Sequence, residues 1–121
     1  MTVVRSVVAR VFVDDLDTAL PAYEALAGGV ETKRFEFRDV RLAWVGPFLL
    51  LQVAPERRAE YERRATLIVD DIEAARSVVE EYGGEVLEGP APAPNGARMI
   101  ARHVDGAVFE YIAPDGPALS R

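Results

Sequence analysis

Apolar and polar residues follow two different patterns near the start of the chain. Residues 7–13 (VVARVFV) are mostly β-branched or aromatic, which is typical of a strand. Over residues 16–26 the apolar positions recur at helical spacing, which predicts an amphipathic helix. The carboxylates of Asp14 and Asp15 stand where they can accept hydrogen bonds from the free N–H groups of its first turn, and the pair Gly28-Gly29 ends it.

Short strand-like segments come next. They are VETKRFEF (30–37), VRLAWV (40–45) and PFLLLQVA (47–54), separated by turn residues. Residues 54–63 are polar and charged and carry no long apolar face. We predict that they form a linker with a helical turn or two.

The same order of segments then returns, beginning with the strand TLIV (66–69). Asp70-Asp71 opens a second helix, and Gly83-Gly84 closes it. Three more strands are predicted, EVLEG, RMIARHV and AVFEYIA, and the Pro-rich stretch APAPNGA between the first two reads as a loop, either a pocket rim or a plain connector. The chain therefore has an internal repeat.

This repeat predicts an α+β protein made of one domain, residues 1–121. Its parts are a first βαβββ module (5–53), the linker (54–63), a second βαβββ module (64–114) and a loose tail (115–121). A small sheet covered by a single helix leaves its second face bare. We therefore expect the two modules to form a shared concave cavity.

Composition narrows the class of protein. The 20 acidic and 14 basic residues give a net charge of -6, which argues against a nucleic-acid surface, and the chain has no cysteine. No apolar run is long enough to span a bilayer. The N-terminal stretch is expected to be a strand and not a signal peptide, and we predict a cytoplasmic protein.

The paired strand-DDL-helix-GG units, with VFVDDL in the first and LIVDDI in the second, and the closing HVDGAVFEYIAP resemble the vicinal oxygen chelate superfamily. This superfamily includes glyoxalase I, extradiol dioxygenases, methylmalonyl-CoA epimerase and the bleomycin and fosfomycin resistance proteins. The resemblance covers residues 5–114 and implies the glyoxalase/bleomycin-resistance fold. Because one fold hosts many chemistries, the function depends on the residues of the site.

In metal-dependent members the resemblance implies metal ligands at four positions. Here these positions hold Val8 and Arg64 in the first strands, and Leu51 and Glu110 in the last strands. Arginine cannot coordinate a metal, and one carboxylate does not hold a divalent ion usefully. His103, the chain's only histidine, is expected at a strand end near the rim. We therefore predict that no metal or other cofactor is bound.

Side chains two residues apart on a strand share a face, which gives the predicted ligand-binding set. Its members are Val8, Arg10, Phe12, Leu49, Leu51, Arg64, Thr66, Val108 and Glu110. Glu110 has three open interpretations: it pairs with Arg64 or Arg10, it is poised as a base or as an acceptor for a ligand amine, or a register shift turns it elsewhere. Arg10 either binds a ligand carboxylate or pairs within the protein.

Three functions remain open from the sequence. The first is a metal-independent small-molecule binding protein of the glyoxalase/bleomycin-resistance type, which sequesters a ligand or antibiotic as a homodimer. The second is a metal-free isomerase or lyase that uses Glu110 as catalytic acid and base. The third is an interaction or regulatory domain whose cavity is filled by side chains.

Overall fold

The structure is a computed structural model that describes residues 2–94 and 96–114. The order of elements in these ranges is β1 Val4–Val13, α1 Leu16–Leu26, β2 Thr32–Phe37, β3 Val40–Val45, β4 Phe48–Gln52, a 3₁₀ helix Pro55–Tyr61, β5 Thr66–Val69, α2 Ile72–Glu81, β6 Glu85–Ala93, β7 Gly96–Arg102 and β8 Val108–Ala113. The predicted tail, residues 115–121, lies outside the described residues.

The described chain forms two compact units. The N-terminal unit is Val8–Glu62, and the C-terminal unit combines residues 2–7 with residues 63–114. The segment predicted as a linker belongs largely to the N-terminal unit, where it forms the 3₁₀ helix. Each unit contains one α-helix and four paired strands, as the repeat in the sequence predicts.

In the N-terminal unit the strand order is β2-β3-β4-β1. The β2–β3 and β3–β4 pairs are antiparallel, whereas β1 and β4 run parallel, with Phe12 beside Leu51. One face of this sheet packs on α1 through Val13, Ala43, Val45 and Leu50, which meet Leu16 and Leu20 of the helix. The alternate residues, among them Arg10, Phe12, Leu49 and Leu51, therefore point to the opposite face.

The C-terminal unit repeats this plan with the strand order β5-β8-β7-β6. Strands β5 and β8 are parallel, with Thr66 beside Glu110, and the other pairs are antiparallel. Its helix-side core is a continuous apolar cluster: Ala65, Leu67, Val69, Ile72, Ala75, Val79, Ala97, Met99, Ala101, Tyr111 and Ala113. We call the face of each sheet that points away from its helix the open face.

Both α-helices begin at the second aspartate of a DDL-like turn. Asp15 accepts hydrogen bonds from Thr18, at 2.9 Å from the backbone N–H and 2.6 Å from the hydroxyl, and these bonds hold the pKa of its carboxyl below its usual value. Asp71 accepts from the backbone N–H groups of Glu73 and Ala74. The predicted capping is confirmed for Asp15 and Asp71, whereas Asp14 pairs with Arg58 instead. The caps fix where each helix leaves its strand.

The Pro-rich stretch is not a loop. Strand β6 continues through it to Ala93, with Ala91 beside Arg98 and Ala93 beside Gly96. Strand β6 ends the order of the C-terminal unit, where a proline without an N–H can be accommodated. Two register irregularities, between Val86 and Ala91, allow the strand to keep its pairing. The predicted Asn-Gly turn includes Asn95, which lies outside the described residues.

The packing of Leu50 gives a test of the fold. Its side chain is 0% exposed between β3 and α1, so Leu50→Ala leaves a cavity and should lower the free energy of unfolding by about 2–5 kcal/mol. Leu26 is 72% exposed at the end of α1, so Leu26→Ala should change the stability by less than about 0.5 kcal/mol. Urea denaturation of both variants measures the difference, and equal losses would contradict the assigned faces.

Candidate functional site

The open face of the C-terminal unit carries polar side chains above an apolar floor. Ile68, Ile100 and Ile112 form the buried part, and Ile112 is only 1% exposed. Towards the start of β8 the face opens, since Val108 and Glu110 are half-buried and Arg64 is exposed. Exposure therefore increases along this face, so that its polar groups are accessible to solvent and its apolar groups lie beneath them.

Glu110 is the centre of a network on this face. One oxygen of its carboxylate accepts a hydrogen bond from the hydroxyl of Thr66 at 2.7 Å. The other oxygen accepts from Nε of Arg98 at 3.4 Å, and Nη1 of Arg98 donates to the carboxylate of Glu88 at 3.1 Å. The network therefore joins four strands, with Arg98 between two carboxylates.

The burial of this network makes the pairing of its charges important for stability. The side chains of Arg98 and Glu110 are 10% and 13% exposed, while that of Glu88 is 38% exposed. A buried charge is costly unless it is paired, because the lost hydration must be replaced by fixed partners. Arg98 and Glu110 therefore compensate each other's charge inside the unit.

The same contacts bear on metal binding. Both oxygens of the Glu110 carboxylate accept hydrogen bonds, and the neighbouring guanidinium repels a cation placed beside them. Within residues 2–94 and 96–114, no three His, Asp or Glu side chains lie close enough together to hold a metal ion. Arg64, one of the four positions where the resemblance implied a metal ligand, donates its backbone N–H to the carbonyl of Val108 at 2.7 Å.

The predicted residues of the N-terminal unit lie on its own open face. Val8, Leu49 and Leu51 are buried, with Leu49 beside Arg10 and Leu51 beside Phe12 in the parallel pairing of β1 and β4. Arg10 donates from Nη2 to the carbonyl of Tyr61 at 2.8 Å. This face is thus mainly apolar, and its one predicted cation contacts the 3₁₀ helix.

The structure brings together two of the predicted residues of the C-terminal unit, Thr66 and Glu110, and adds two that the sequence reasoning missed. The missed residues are Arg98 and Glu88. The tight turn at Asp105-Gly106 could have located Arg98, because it pairs Arg102 with Val108 and so leaves Arg98 diagonal to Glu110 on one face. Glu88 could not be located in this way, since the irregularities of β6 displace its register.

His103 lies on the other side of the sheet. Its ring stacks on Phe109, with centroids 4.4 Å apart and planes at 19°, and Nε2 is hydrogen-bonded to the hydroxyl of Tyr111. Burial raises the pKa of Tyr111. Since Phe109 and Tyr111 pack with the α2 core, His103 belongs to that core and not to the open face.

A shallow depression of about 270 Å³ also lies beside β2 and β3 of the N-terminal unit. It is lined by Leu16, Arg34, Phe35, Glu36, Arg41 and Leu42. Arg34 is paired with Asp17 at the start of α1, so its charge is already compensated. The depression contains none of the residues that the sequence analysis singled out.

Comparison with solved structures identifies the class of fold. A methylmalonyl-CoA epimerase in complex with methylmalonyl-CoA and NH4+ is 16% identical, covers 91% of this chain and 94% of its own, and superposes with a TM-score of 0.67. The methylmalonyl-CoA epimerase from Mycobacterium tuberculosis is 14% identical, with 93% and 89% coverage and a TM-score of 0.61. At these identities the likeness shows the fold alone. The predicted α+β class and the vicinal oxygen chelate fold are confirmed.

A nearer relative identifies the family. An uncharacterised, hypothetical protein from Methanosarcina mazei is 34% identical over 93% of this chain and 93% of that chain, with a TM-score of 0.82. The chain therefore belongs to the same family as this Methanosarcina mazei protein. No protein-family model matches the chain, and no curated protein sequence matches it. Across the described ranges, no helix is both long and apolar enough to cross a membrane.

The pairing of Arg98 can be tested against a matched arginine on the same strand. Arg98→Met leaves the Glu110 carboxylate buried beside an apolar side chain, and should lower the free energy of unfolding by about 3–5 kcal/mol. Arg102→Met breaks an exposed pair with Glu85 and should cost less than about 1 kcal/mol. Urea denaturation at pH 7 compares the two, and similar losses would contradict the buried pairing of Arg98.

Proposed function

We propose that the chain is a metal-independent binding protein for a small organic molecule, and that the open face of the C-terminal unit supplies the polar contacts. The observation that supports this most directly is the engagement of Glu110 by Thr66 and Arg98. In this proposal a carboxylate held in this way serves as a fixed polar group that orients a ligand, and not as a metal ligand.

The class of ligand follows from the side chains available. An apolar floor of isoleucines lies beneath Glu110, and Val108 and Arg64 stand at the accessible end. A partly apolar molecule with one polar or charged group matches such a surface, since the floor favours burial and the polar groups fix orientation. In this proposal the protein acts by sequestration, as a homodimer in the cytoplasm.

A second candidate is an enzyme that uses Glu110 as acid and base, which the fold of the methylmalonyl-CoA epimerases makes worth testing with thioesters. The contacts favour binding over this chemistry. Both carboxylate oxygens already accept hydrogen bonds, so a proton transfer at Glu110 has to displace Thr66 or Arg98. A third candidate, an interaction domain, is favoured by the burial of Ile68, Ile100 and Ile112, which fits a cavity filled by side chains.

The experiment combines metal analysis with a thermal-shift screen. We expect substoichiometric metal in the purified protein and no rise in Tm on adding Mg²⁺, Mn²⁺ or Zn²⁺. We also expect a rise in Tm with at least one member of a panel of cationic antibiotics, small acids and thioesters; a ligand at a hundred times its Kd adds about 2.7 kcal/mol of stability. The ligand-induced shift should shrink in Glu110→Gln and Thr66→Val, and persist in Arg102→Met.

Each contrary outcome has a separate meaning. Stoichiometric metal that is lost in Glu110→Gln would overturn the metal-independent proposal. Turnover of methylmalonyl-CoA or another thioester that Glu110→Gln abolishes would favour the enzyme. A panel without any shift would leave the interaction domain as the better interpretation.

A further inference from the structure

The 3₁₀ helix Pro55–Tyr61, here called the strap, lies across one end of the N-terminal unit's sheet. Asp14 follows β1, Val53 follows β4 and Asp39 precedes β3, and the register of these strands puts all three at the same end. The strap bonds to each of them. It therefore crosses the end of the sheet and is not a free connection between modules.

Arg58 makes the first tether. Its Nε donates to the carbonyl of Val53 at 2.8 Å, and its Nη2 donates to Asp14 at 2.7 Å. The guanidinium carbon lies 5.7 Å from the centre of the Phe12 ring, in cation–π range. Arg10 adds a contact from the sheet to the strap through the carbonyl of Tyr61. The strap thus lies on the open face, against two residues of the predicted ligand-binding set.

Arg57 makes the second tether. Its guanidinium donates to both oxygens of Asp39, at 2.6 and 3.4 Å, and to the hydroxyl of Tyr61 at 3.1 Å. The Tyr61 hydroxyl is itself 3.2 Å from Asp39. The Arg57 hydrogen bond holds the pKa of the Asp39 carboxyl below its usual value, so this tether is intact at neutral pH.

What holds the strap is almost entirely polar. Each of its seven described residues is exposed or half-buried, so little apolar surface binds it to the sheet. The carboxylates of both tethers are exposed, and exposed ion pairs are weak and screened by salt. Segments with few buried apolar groups open locally at low cost, while the core beneath them stays folded.

We propose that the strap controls access to Arg10 and Phe12: it covers them while both tethers hold and releases them when the tethers are screened or broken. Both tethers join residues of the N-terminal unit. A role of this opening in ligand entry rests on the proposed function, because the opening affects binding only if a ligand contacts the open face of the N-terminal unit.

Hydrogen exchange measured by mass spectrometry tests the opening. In Asp14→Asn/Asp39→Asn both tethers lose their carboxylate, and amides 57–62 should exchange about two- to thirtyfold faster, as expected for the loss of two exposed ion pairs. Exchange in α1 and β4 should not change. Asp70→Asn, which breaks the exposed pair of Arg5 and Asp70, is the control and should leave amides 57–62 as in the wild type.

Salt offers an independent route to the same state. Wild type in 1 M NaCl, where the screening length is about 3 Å, should exchange at 57–62 nearly as fast as the double variant, and the double variant should respond little to salt. Amides 57–62 that remain equally protected in all conditions would overturn the inference. A rise in exchange throughout the chain would show global unfolding and would overturn it too.

Access itself is tested with a single thiol, since the chain has no cysteine. Phe12→Cys should react with a maleimide about two- to thirtyfold faster when Asp14→Asn/Asp39→Asn is added, in proportion to strap opening. Val13→Cys, which faces the α1 core, should keep its rate. If the thiol of Phe12→Cys reacts at an unchanged rate, access control by the strap is refuted, and the proposed function is not affected. If the thiol reacts faster but no member of the panel raises Tm, the proposed function is refuted and the opening of the strap is supported.

Discussion

The buried guanidinium of Arg98 is the group on which the arrangement of the C-terminal unit's open face depends. Its charge requires carboxylates within hydrogen-bonding distance, and these come from Glu88 on β6 and Glu110 on β8. Thr66 on β5 completes the set by donating to Glu110. Because four strands contribute, any shift of register would leave a buried charge without its partner. Electrostatics and strand pairing therefore enforce one arrangement together.

The two units share a plan and differ in what their open faces contain. In both, an aspartate caps the helix, the helix covers one face, and a parallel strand pair joins the first and last strands of the repeat. The open face of the N-terminal unit is mainly apolar around Arg10 and is overlaid at one end by the strap. The two units thus share a backbone plan and its caps, while their open faces differ in chemistry.

The sequence could predict what depends on local pattern. Helix starts at Asp15 and Asp71, the helix-facing sets of each sheet and the α+β class follow from short-range chemistry and the period of apolar residues. The position of Arg98 beside Glu110 could also have been predicted, from the register of β7 and β8. Glu88 and the strap could not, because the first depends on irregular pairing and the second on contacts with Asp14 and Asp39, far away in the chain. The shared cavity stays a prediction.

The comparisons establish the fold of the chain but do not establish an activity. The Methanosarcina mazei relative is described only as a hypothetical protein, and the epimerases are too distant to lend an activity. Function must therefore be inferred from Glu110. A carboxylate in a buried setting can balance one positive charge, and here a guanidinium on the next strand provides it. A divalent ion at the same oxygens would have to displace Arg98 and leave that cation buried against like charge, which costs more than the single carboxylate returns. The role of the Glu110 carboxylate in this unit is thus to balance the charge of Arg98 and not to begin a metal site.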